Sequence, residues 1–97
     1  MRHRYLVAYD IAHPRRLRAI FKKMNGFGEP MQYSVFRCDL SAAERTRMVE
    51  AVLEIINTTE DRVMIVNLGP CEGRARRAFR FLGRRDKVPE EPGPLVF

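Results

Sequence analysis

The sequence lacks several features that would define a function directly. In 97 residues it has no tryptophan, two histidines and two cysteines. Cys38 and Cys71 are far apart and form no C-x-x-C pair, which argues against a zinc site and a disulfide framework. We expect two small buried thiols in a reduced cytoplasm. No apolar run is long enough to span a bilayer and no signal-peptide core is present, so we expect a cytoplasmic protein without a membrane partner.

Acidic residues are also scarce relative to basic ones. The chain has 18 Lys and Arg against 12 Asp and Glu, a net charge of +6, while 45% of its residues are hydrophobic. This composition predicts one folded domain and excludes a disordered tail. The positive charge favours a polyanionic partner, with nucleic acid as the first candidate and an acidic membrane surface as the second.

The segment RYLVAYDIAHPRR, residues 4–16, is the centre of the interpretation. Tyr5 to Tyr9 is an apolar run of the length of a buried strand, and it ends on Asp10. Pro14 then opens a helical pattern, because proline is favoured in a first helical turn. A strand end that exposes a carboxylate just before several arginines indicates a site for phosphate and a metal ion.

The first helix is predicted over residues 14–25, with one apolar stripe formed by Leu17, Ile20, Phe21 and Met24. Gly26 is expected to end it in a left-handed cap. Arg16 and Arg18 lie near its start, close to Asp10, and are candidates for phosphate contact.

Residues 31–40, MQYSVFRCDL, favour strand structure. They fit either one long bent strand or two short strands with a kink near Tyr33-Ser34, and Pro30 requires an edge or a first strand position. Ser41 and Glu44 then form a capping box for a second helix with a wide apolar face. The residues assigned to this face are Met48, Val49, Val52, Leu53, Ile55 and Ile56. A further strand is predicted from Arg62 to Leu68.

The C-terminal part changes character. Ala75, Ala78, Phe79 and Leu82 have helical spacing among arginines that include Arg74 and Arg77. Such a basic amphipathic segment lies on a phosphate backbone or a membrane surface, or its arginines only solubilise the surface. Residues 84–97 form a predicted tail, in which Leu95 to Phe97 could add a strand to an open sheet edge, either of the same chain or of a second copy.

The order of these elements predicts an α+β fold. It is a ferredoxin-like sandwich with one mainly antiparallel sheet and two helices on one face, formed by residues 1–83.

Three features together resemble the CRISPR-associated Cas2 family, the small subunit of the spacer-acquisition machinery. They are a first strand ending in Tyr9-Asp10-Ile11, an arginine-rich first helix, and the segment Gln32-Tyr33-Ser34-Val35-Phe36 before a capped helix and an apolar strand. The similarity covers roughly residues 4 to 70. It implies a homodimer in which the two Asp10 side chains face each other across the twofold axis. It also implies a magnesium- or manganese-dependent nuclease acting on RNA or DNA, or a bridge between Cas1 integrase dimers. Asp10 matches the metal-binding aspartate, and Tyr9, Arg16, Arg18, Ser34 and Phe36 match positions around it.

Simpler roles exist for each of these residues. Asp10 could cap the first helix or pair with Arg16, and His13 could be a surface residue or cap instead of a general acid or base. The Ser34 hydroxyl could contact phosphate or bond to the backbone. Tyr9, Tyr33 and Phe36 could stack on bases. Aromatic residues in such apolar strands usually lie in the core or in a dimer interface, and we favour the core.

Three functions therefore remain. The first is a divalent-metal phosphodiesterase that uses Asp10. The second is a non-catalytic adaptor that presents arginines to duplex DNA and docks Cas1 integrase through its C-terminal segment. The third is a generic ferredoxin-like RNA-binding module, which the absence of the usual paired aromatic pattern disfavours.

Overall fold

The computed structural model describes residues 1–83, which form one four-stranded sheet and two α-helices. The elements in chain order are β1 (His3–Asp10), α1 (Pro14–Met24), β2 (Glu29–Gln32), β3 (Val35–Leu40), α2 (Ala42–Ile55), β4 (Arg62–Pro70) and a short 3-10 helix (Arg74–Arg77). The strand order is β2-β3-β1-β4, and every neighbouring pair is antiparallel. The predicted ferredoxin-like sandwich is confirmed.

The alternation of side chains along β1 separates the two faces of the sheet. Tyr5, Val7 and Tyr9 are buried against both helices. The sheet and the helices contribute to a single core, whose remaining buried members are Leu17, Ile20, Phe21, Met24, Phe36, Cys38, Leu40, Met48 and Val52. Because side chains on a strand point alternately to opposite faces, Leu6, Ala8 and Asp10 lie on the other face of the sheet.

The other face, which we call the open face, is not covered by any helix in residues 1–83. The strand register places Val35 and Met64 opposite Ala8, and Arg37 and Val66 opposite Leu6. Residues directly opposite each other in an antiparallel pair share a face. The open face therefore has an apolar strip formed by Leu6, Ala8, Val35, Met64 and Val66, with the charged Arg37 beside it. Met64 and Val66 in this strip are exposed.

Residues 29–40 form a hairpin, which resolves the two alternatives left by the sequence. Strands β2 and β3 pair with each other, and Tyr33-Ser34 is the turn between them. Pro30 lies in β2, an edge strand of the sheet, as its missing amide requires.

The helix starts agree with the predictions, but one helix end does not. Ser41 and Glu44 form the capping box, with Glu44 N donating to Ser41 Oγ and Ser41 N to Glu44 Oε1. The predicted left-handed cap at Gly26 is wrong, because Gly26 does not have a positive φ. Instead, α1 ends through Asn25, whose side-chain amide donates to Phe21 O, and through a bond from Gly26 N to Lys23 O.

Two predicted apolar helix faces differ from the structure: that of the second helix is narrower, and that of the C-terminal segment does not form. Of the apolar side chains in α2, only Met48 and Val52 are buried, and Leu53 is exposed. The helical stripe predicted from Ala75 to Leu82 is wrong, since only the 3-10 helix forms there. The Ala75 carbonyl accepts from Ala78 N and from Arg4 Nη1, which replaces the bond that an α-helix would make.

The cysteine prediction is confirmed for one of the two residues. Both thiols are free, but Cys38 is fully buried whereas Cys71 is only half-buried. Burial raises the pKa of Cys38 to about 12, so its thiol stays protonated and acts as a small apolar side chain.

Two further predictions concern a C-terminal strand and the absence of a membrane-spanning helix. The proposed strand at Leu95 to Phe97 lies outside the described residues. Within residues 1–83, no helix combines the length and the apolar character needed to cross a bilayer.

Gly28 lies where the chain entering β2 approaches β3 closely. A Cβ atom at Gly28 would overlap with the Arg37 carbonyl oxygen and lie 2.6 Å from Cys38 Sγ, whereas one at Gly73 would be 3.6 Å from its nearest neighbour, Pro70 O. We expect Gly28→Ala to lower the free energy of unfolding by about 2 kcal/mol through overpacking. Gly73→Ala is the control and should cost much less. Urea denaturation of both variants tests this, and equal losses would contradict it.

Candidate metal and nucleic-acid site

Asp10 is the last residue of β1 and is exposed on the open face. Its strand partner is Arg62, the first residue of β4. The Asp10 carboxylate makes no hydrogen bond or ion pair with any residue between 1 and 83. Asp10 therefore neither caps α1 nor pairs with Arg16 in this structure. The cap of α1 is His13, whose Nδ1 accepts from Arg15 N at 3.1 Å. Arg16 forms its ion pair with Asp61 instead.

The tip of the β2–β3 hairpin lies on one side of this strand end. Tyr9 N donates to Ser34 O at 3.1 Å, and the Tyr9 hydroxyl donates to Tyr33 O at 3.3 Å. Burial raises the pKa of Tyr9 well above its ordinary value, so the phenol remains a neutral donor. Tyr9 thus holds the hairpin tip beside Asp10 from within the core.

The aromatic residues divide between core and surface. Phe36 is buried, with its ring 5.4 Å from that of Phe21 in an edge-to-face arrangement and 6.2 Å from that of Tyr9. The core role expected for Tyr9 and Phe36 is confirmed. The same expectation for Tyr33 is wrong, because Tyr33 lies in the turn and is exposed. The Ser34 hydroxyl makes no hydrogen bond within the described part of the chain, although the Ser34 carbonyl does.

Asp61 occupies the other side of the strand end. Its carboxylate accepts from Ala12 N at 2.9 Å, from Asn57 N at 2.8 Å and from Arg16 Nε at 2.8 Å. The side chain of Asp61 is completely buried, while that of Arg16 is 24% exposed. One carboxylate therefore joins the loop after β1, the first turn of α1 and the loop after α2.

These bonds also decide the protonation of Asp61. The Arg16 guanidinium, and then the amides of Ala12 and Asn57, lower the pKa of Asp61 to about 2 against the opposing effect of burial. Arg16 has a second acidic partner, Glu60, whose Oε1 accepts from Nη2 at 3.0 Å, but Glu60 is exposed. Asp61 is thus the stronger partner of Arg16 and is ionised at neutral pH.

The four arginines predicted to bind nucleic acid do not form one surface. Arg16 and Arg18 belong to α1, which starts near Asp10. Arg74 and Arg77 are exposed on the 3-10 helix, which contacts Arg4 at the opposite end of β1 through Ala75. The strand between Arg4 and Asp10 is about 20 Å long at the usual rise of a β-strand. The structure therefore places the arginines at two ends of the sheet.

One chain does not supply a complete metal site. Among residues 1–83, no three side chains of His, Cys, Asp or Glu lie close enough together to hold a metal ion. Magnesium is commonly bound by one or two carboxylates, with waters and substrate phosphate completing the octahedron. Asp10 alone is a poor ligand set, whereas two Asp10 side chains from two copies would fit this cation.

Sequence reasoning missed Asp61 and Arg62 as members of the site. Asp61 belongs to a polar stretch between α2 and β4, and its partners Arg16 and Ala12 are 45 and 49 residues away along the chain. The available signal was an acidic residue directly before a predicted strand, which is too common to single out one position.

Comparison with known proteins identifies similar sequences over most of the chain. Residues 1–77 match the family model described as CRISPR associated protein Cas2. A CRISPR-associated endoribonuclease Cas2 of Geobacter sulfurreducens is 49% identical over 72 residues, covering 74% of this chain and 76% of the relative. One from Rhodospirillum rubrum is 44% identical over 94 residues, covering 97% and 91%.

The fold also matches solved structures. The crystal structure of Streptococcus pyogenes Cas2 at pH 6.5 has a TM-score of 0.73 and 28% sequence identity to this chain. The match covers 82% of this chain and 99% of that one. The similarity therefore extends to nearly the whole of a known family member.

The Asp61 carboxylate should make part of the free energy of unfolding sensitive to acid. The pKa of Asp61 is lowered in the folded state, so its contribution is complete above the unfolded-state pKa near 4 and is lost as the pH falls towards 2. We expect Asp61→Asn to be less stable than the wild type by roughly 2 kcal/mol at pH 7, because charged hydrogen bonds are lost. The difference should shrink between pH 4 and pH 2.

Glu60→Gln is the control for this experiment. Glu60 is exposed and makes one contact with the same arginine, so its loss should change stability by less than about 0.5 kcal/mol. Chemical denaturation across the pH series measures both variants. A stability difference between Asp61→Asn and the wild type that is independent of pH would contradict the stabilising role of the ionised Asp61 carboxylate.

Proposed function

The chain belongs to the CRISPR-associated Cas2 family, and from this we propose that it is a nucleic-acid-binding subunit of CRISPR adaptation. It acts as a homodimer with a magnesium- or manganese-dependent endonuclease site made by Asp10 of both copies. The observation that carries the proposal is the place of Asp10, exposed and unpartnered among residues 1–83 at the end of the open face.

The open face supports the homodimer. Leu6, Ala8 and Val35 are half-buried, and Met64 and Val66 are exposed on a sheet face that no described helix covers. An uncovered apolar sheet face favours association. A twofold axis through this face near the end of β1 would bring the two Asp10 side chains together, because they lie on the same face as the apolar residues.

A pair of Asp10 carboxylates suits a hard divalent cation. Without a cation the two charges would repel each other, so cation binding and association are coupled. When bound, the cation would polarise a phosphoryl oxygen and lower the pKa of an attacking water. The protein residues then have distinct tasks: Asp10 holds the cation, Tyr9 and Phe36 keep β1 and the hairpin tip in place, and Ser34 and Arg16 contact the substrate backbone.

A second candidate function is the non-catalytic adaptor that bridges Cas1 integrase and duplex DNA. The position of Arg74 and Arg77, at the end of the sheet away from Asp10, favours it because they can bind a backbone independently of the nuclease site. In this candidate, residues 84–97 dock the integrase. The free thiols of Cys38 and Cys71 support a cytoplasmic location for either function.

The generic RNA-binding module receives no support. Such modules stack bases on aromatic side chains of an open sheet face. Here the aromatic residues of the central strands, Tyr5, Tyr9 and Phe36, belong to the core beneath the helices.

Replacing Asp10 tests the nuclease. We expect Asp10→Asn, which keeps the size and removes the charge, to reduce cleavage of labelled RNA or duplex DNA by at least about 100-fold with Mg²⁺ or Mn²⁺. Glu50→Gln, at an exposed position of α2, is the control and should cleave as the wild type does. Wild-type protein that binds nucleic acid but cleaves none would reject the nuclease and support the adaptor.

Charge placed on the open face tests the dimer. Met64 on the open face and Leu53 on α2 have almost the same exposure, 52% and 54%. We expect Met64→Lys to weaken self-association at least tenfold, because it would bury an unpaired ammonium, while Leu53→Lys has no effect. Analytical ultracentrifugation measures both. A monomeric wild type, or equal behaviour of the two variants, would contradict the proposed interface.

A further inference from the structure

We propose that Asp61 is a positioning residue that orients the Arg16 guanidinium so that its Nη1 group is presented to a nucleic-acid phosphate. This inference rests on the proposed function and adds a residue that none of the sequence motifs includes.

The contacts of Arg16 divide its guanidinium into two parts. Nε donates to Asp61 Oδ2 at 2.8 Å, and Nη2 donates to Asp61 Oδ1 at 3.2 Å and to Glu60 Oε1 at 3.0 Å. Nη1 makes no hydrogen bond to any of residues 1–83. A bidentate pair of this kind fixes the plane of the guanidinium. The carboxylate therefore holds one edge and leaves the Nη1 donors for another acceptor.

Asp61 is itself held in place by several hydrogen bonds. Besides Arg16, the Asp61 carboxylate accepts from the backbone amides of Ala12 and Asn57, and its side chain is completely buried. Ala12 is two residues after Asp10, so the same carboxylate ties the arginine to the loop that leaves the candidate metal site. Glu60 is exposed and touches only Nη2. The orientation of Arg16 thus depends on Asp61 far more than on Glu60.

Lysine at position 16 should not replace arginine in this role. An ammonium can pair with Asp61, but it has no second planar edge to offer a phosphate. Arg18 provides a matched comparison, since it lies on the same helix and makes no hydrogen bond or ion pair within the described residues. If Arg18 acts as a simple positive charge, lysine can substitute for it.

The first experiment measures the affinity of the full-length protein for labelled duplex DNA and single-stranded RNA over a range of salt concentrations. We expect Arg16→Lys to weaken binding about tenfold and to reduce the salt dependence by roughly one unit for each subunit in contact. Arg18→Lys should stay within about twofold of the wild type. Equal effects of the two lysine substitutions would overturn the proposal.

The second experiment asks whether removing an acidic side chain raises or lowers the affinity for nucleic acid. Removing an acidic side chain near a polyanion should raise affinity by electrostatics alone. We expect Glu60→Gln to follow that rule with a small gain, whereas Asp61→Asn weakens binding several-fold because Arg16 loses its orientation. Since Asp61 acts through Arg16, adding Asp61→Asn to Arg16→Ala should cause no further loss. Stronger binding by Asp61→Asn, or additive losses, would overturn the proposal.

The outcomes separate this inference from the proposed function. Asp61→Asn must remain folded at the assay temperature, as checked by circular dichroism, and otherwise Arg16→Lys alone decides. A wild type that binds neither DNA nor RNA overturns the proposed function and the inference with it. A wild type that binds and cleaves while Arg16→Lys behaves as Arg18→Lys leaves the function intact and rejects only the role of Asp61.

Discussion

The alternation of side chains along β1 is the constraint on which the rest of the structure depends. Tyr5, Val7 and Tyr9 are buried beneath the helices, so the residues between and after them must lie on the open face. A slip of one residue would bury Asp10 and expose both tyrosines. The hydrophobic effect that holds β1 in register therefore also places the carboxylate at the surface, beside apolar side chains that a second copy can cover.

The two loops beside Asp10 are held by different kinds of interaction. On the hairpin side, Tyr9 donates a neutral hydrogen bond from within the core. On the β4 side, Asp61 accepts charge-assisted bonds from Arg16 and from backbone amides. The first depends on burial and the second on ionisation. Acid below about pH 4 should therefore loosen the β4 side, while the hairpin side keeps its contacts.

Local patterns in the sequence predicted most of the fold. The apolar run of β1, the stripe of α1 and the capping box at Ser41 each act over a few residues, and each is confirmed. Their order was enough to indicate the ferredoxin-like sheet. The errors at Gly26 and in the segment after Ala75 have a common cause: side-chain and 3-10 bonds replaced the expected helix geometry, and such bonds leave no periodic signal.

The candidate site was predictable only in part. Asp10 follows from its place at the end of an apolar strand, and the resemblance to Cas2 implies the metal-binding role that we propose for it. Asp61 could not be found in this way, because its function depends on partners more than 40 residues distant along the chain. The proposed pairing of two chains is a further step that no single sequence encodes locally, and the proposed metal site depends on it.

The most direct test of the account is the number of Mn²⁺ ions bound per chain, measured by titration with electron paramagnetic resonance detection alongside the mass of the protein in solution. The account predicts one ion for every two chains, bound only by the dimer and lost when Asp10 becomes asparagine. One ion on each monomeric chain, or binding that survives the loss of the Asp10 charge, would contradict it.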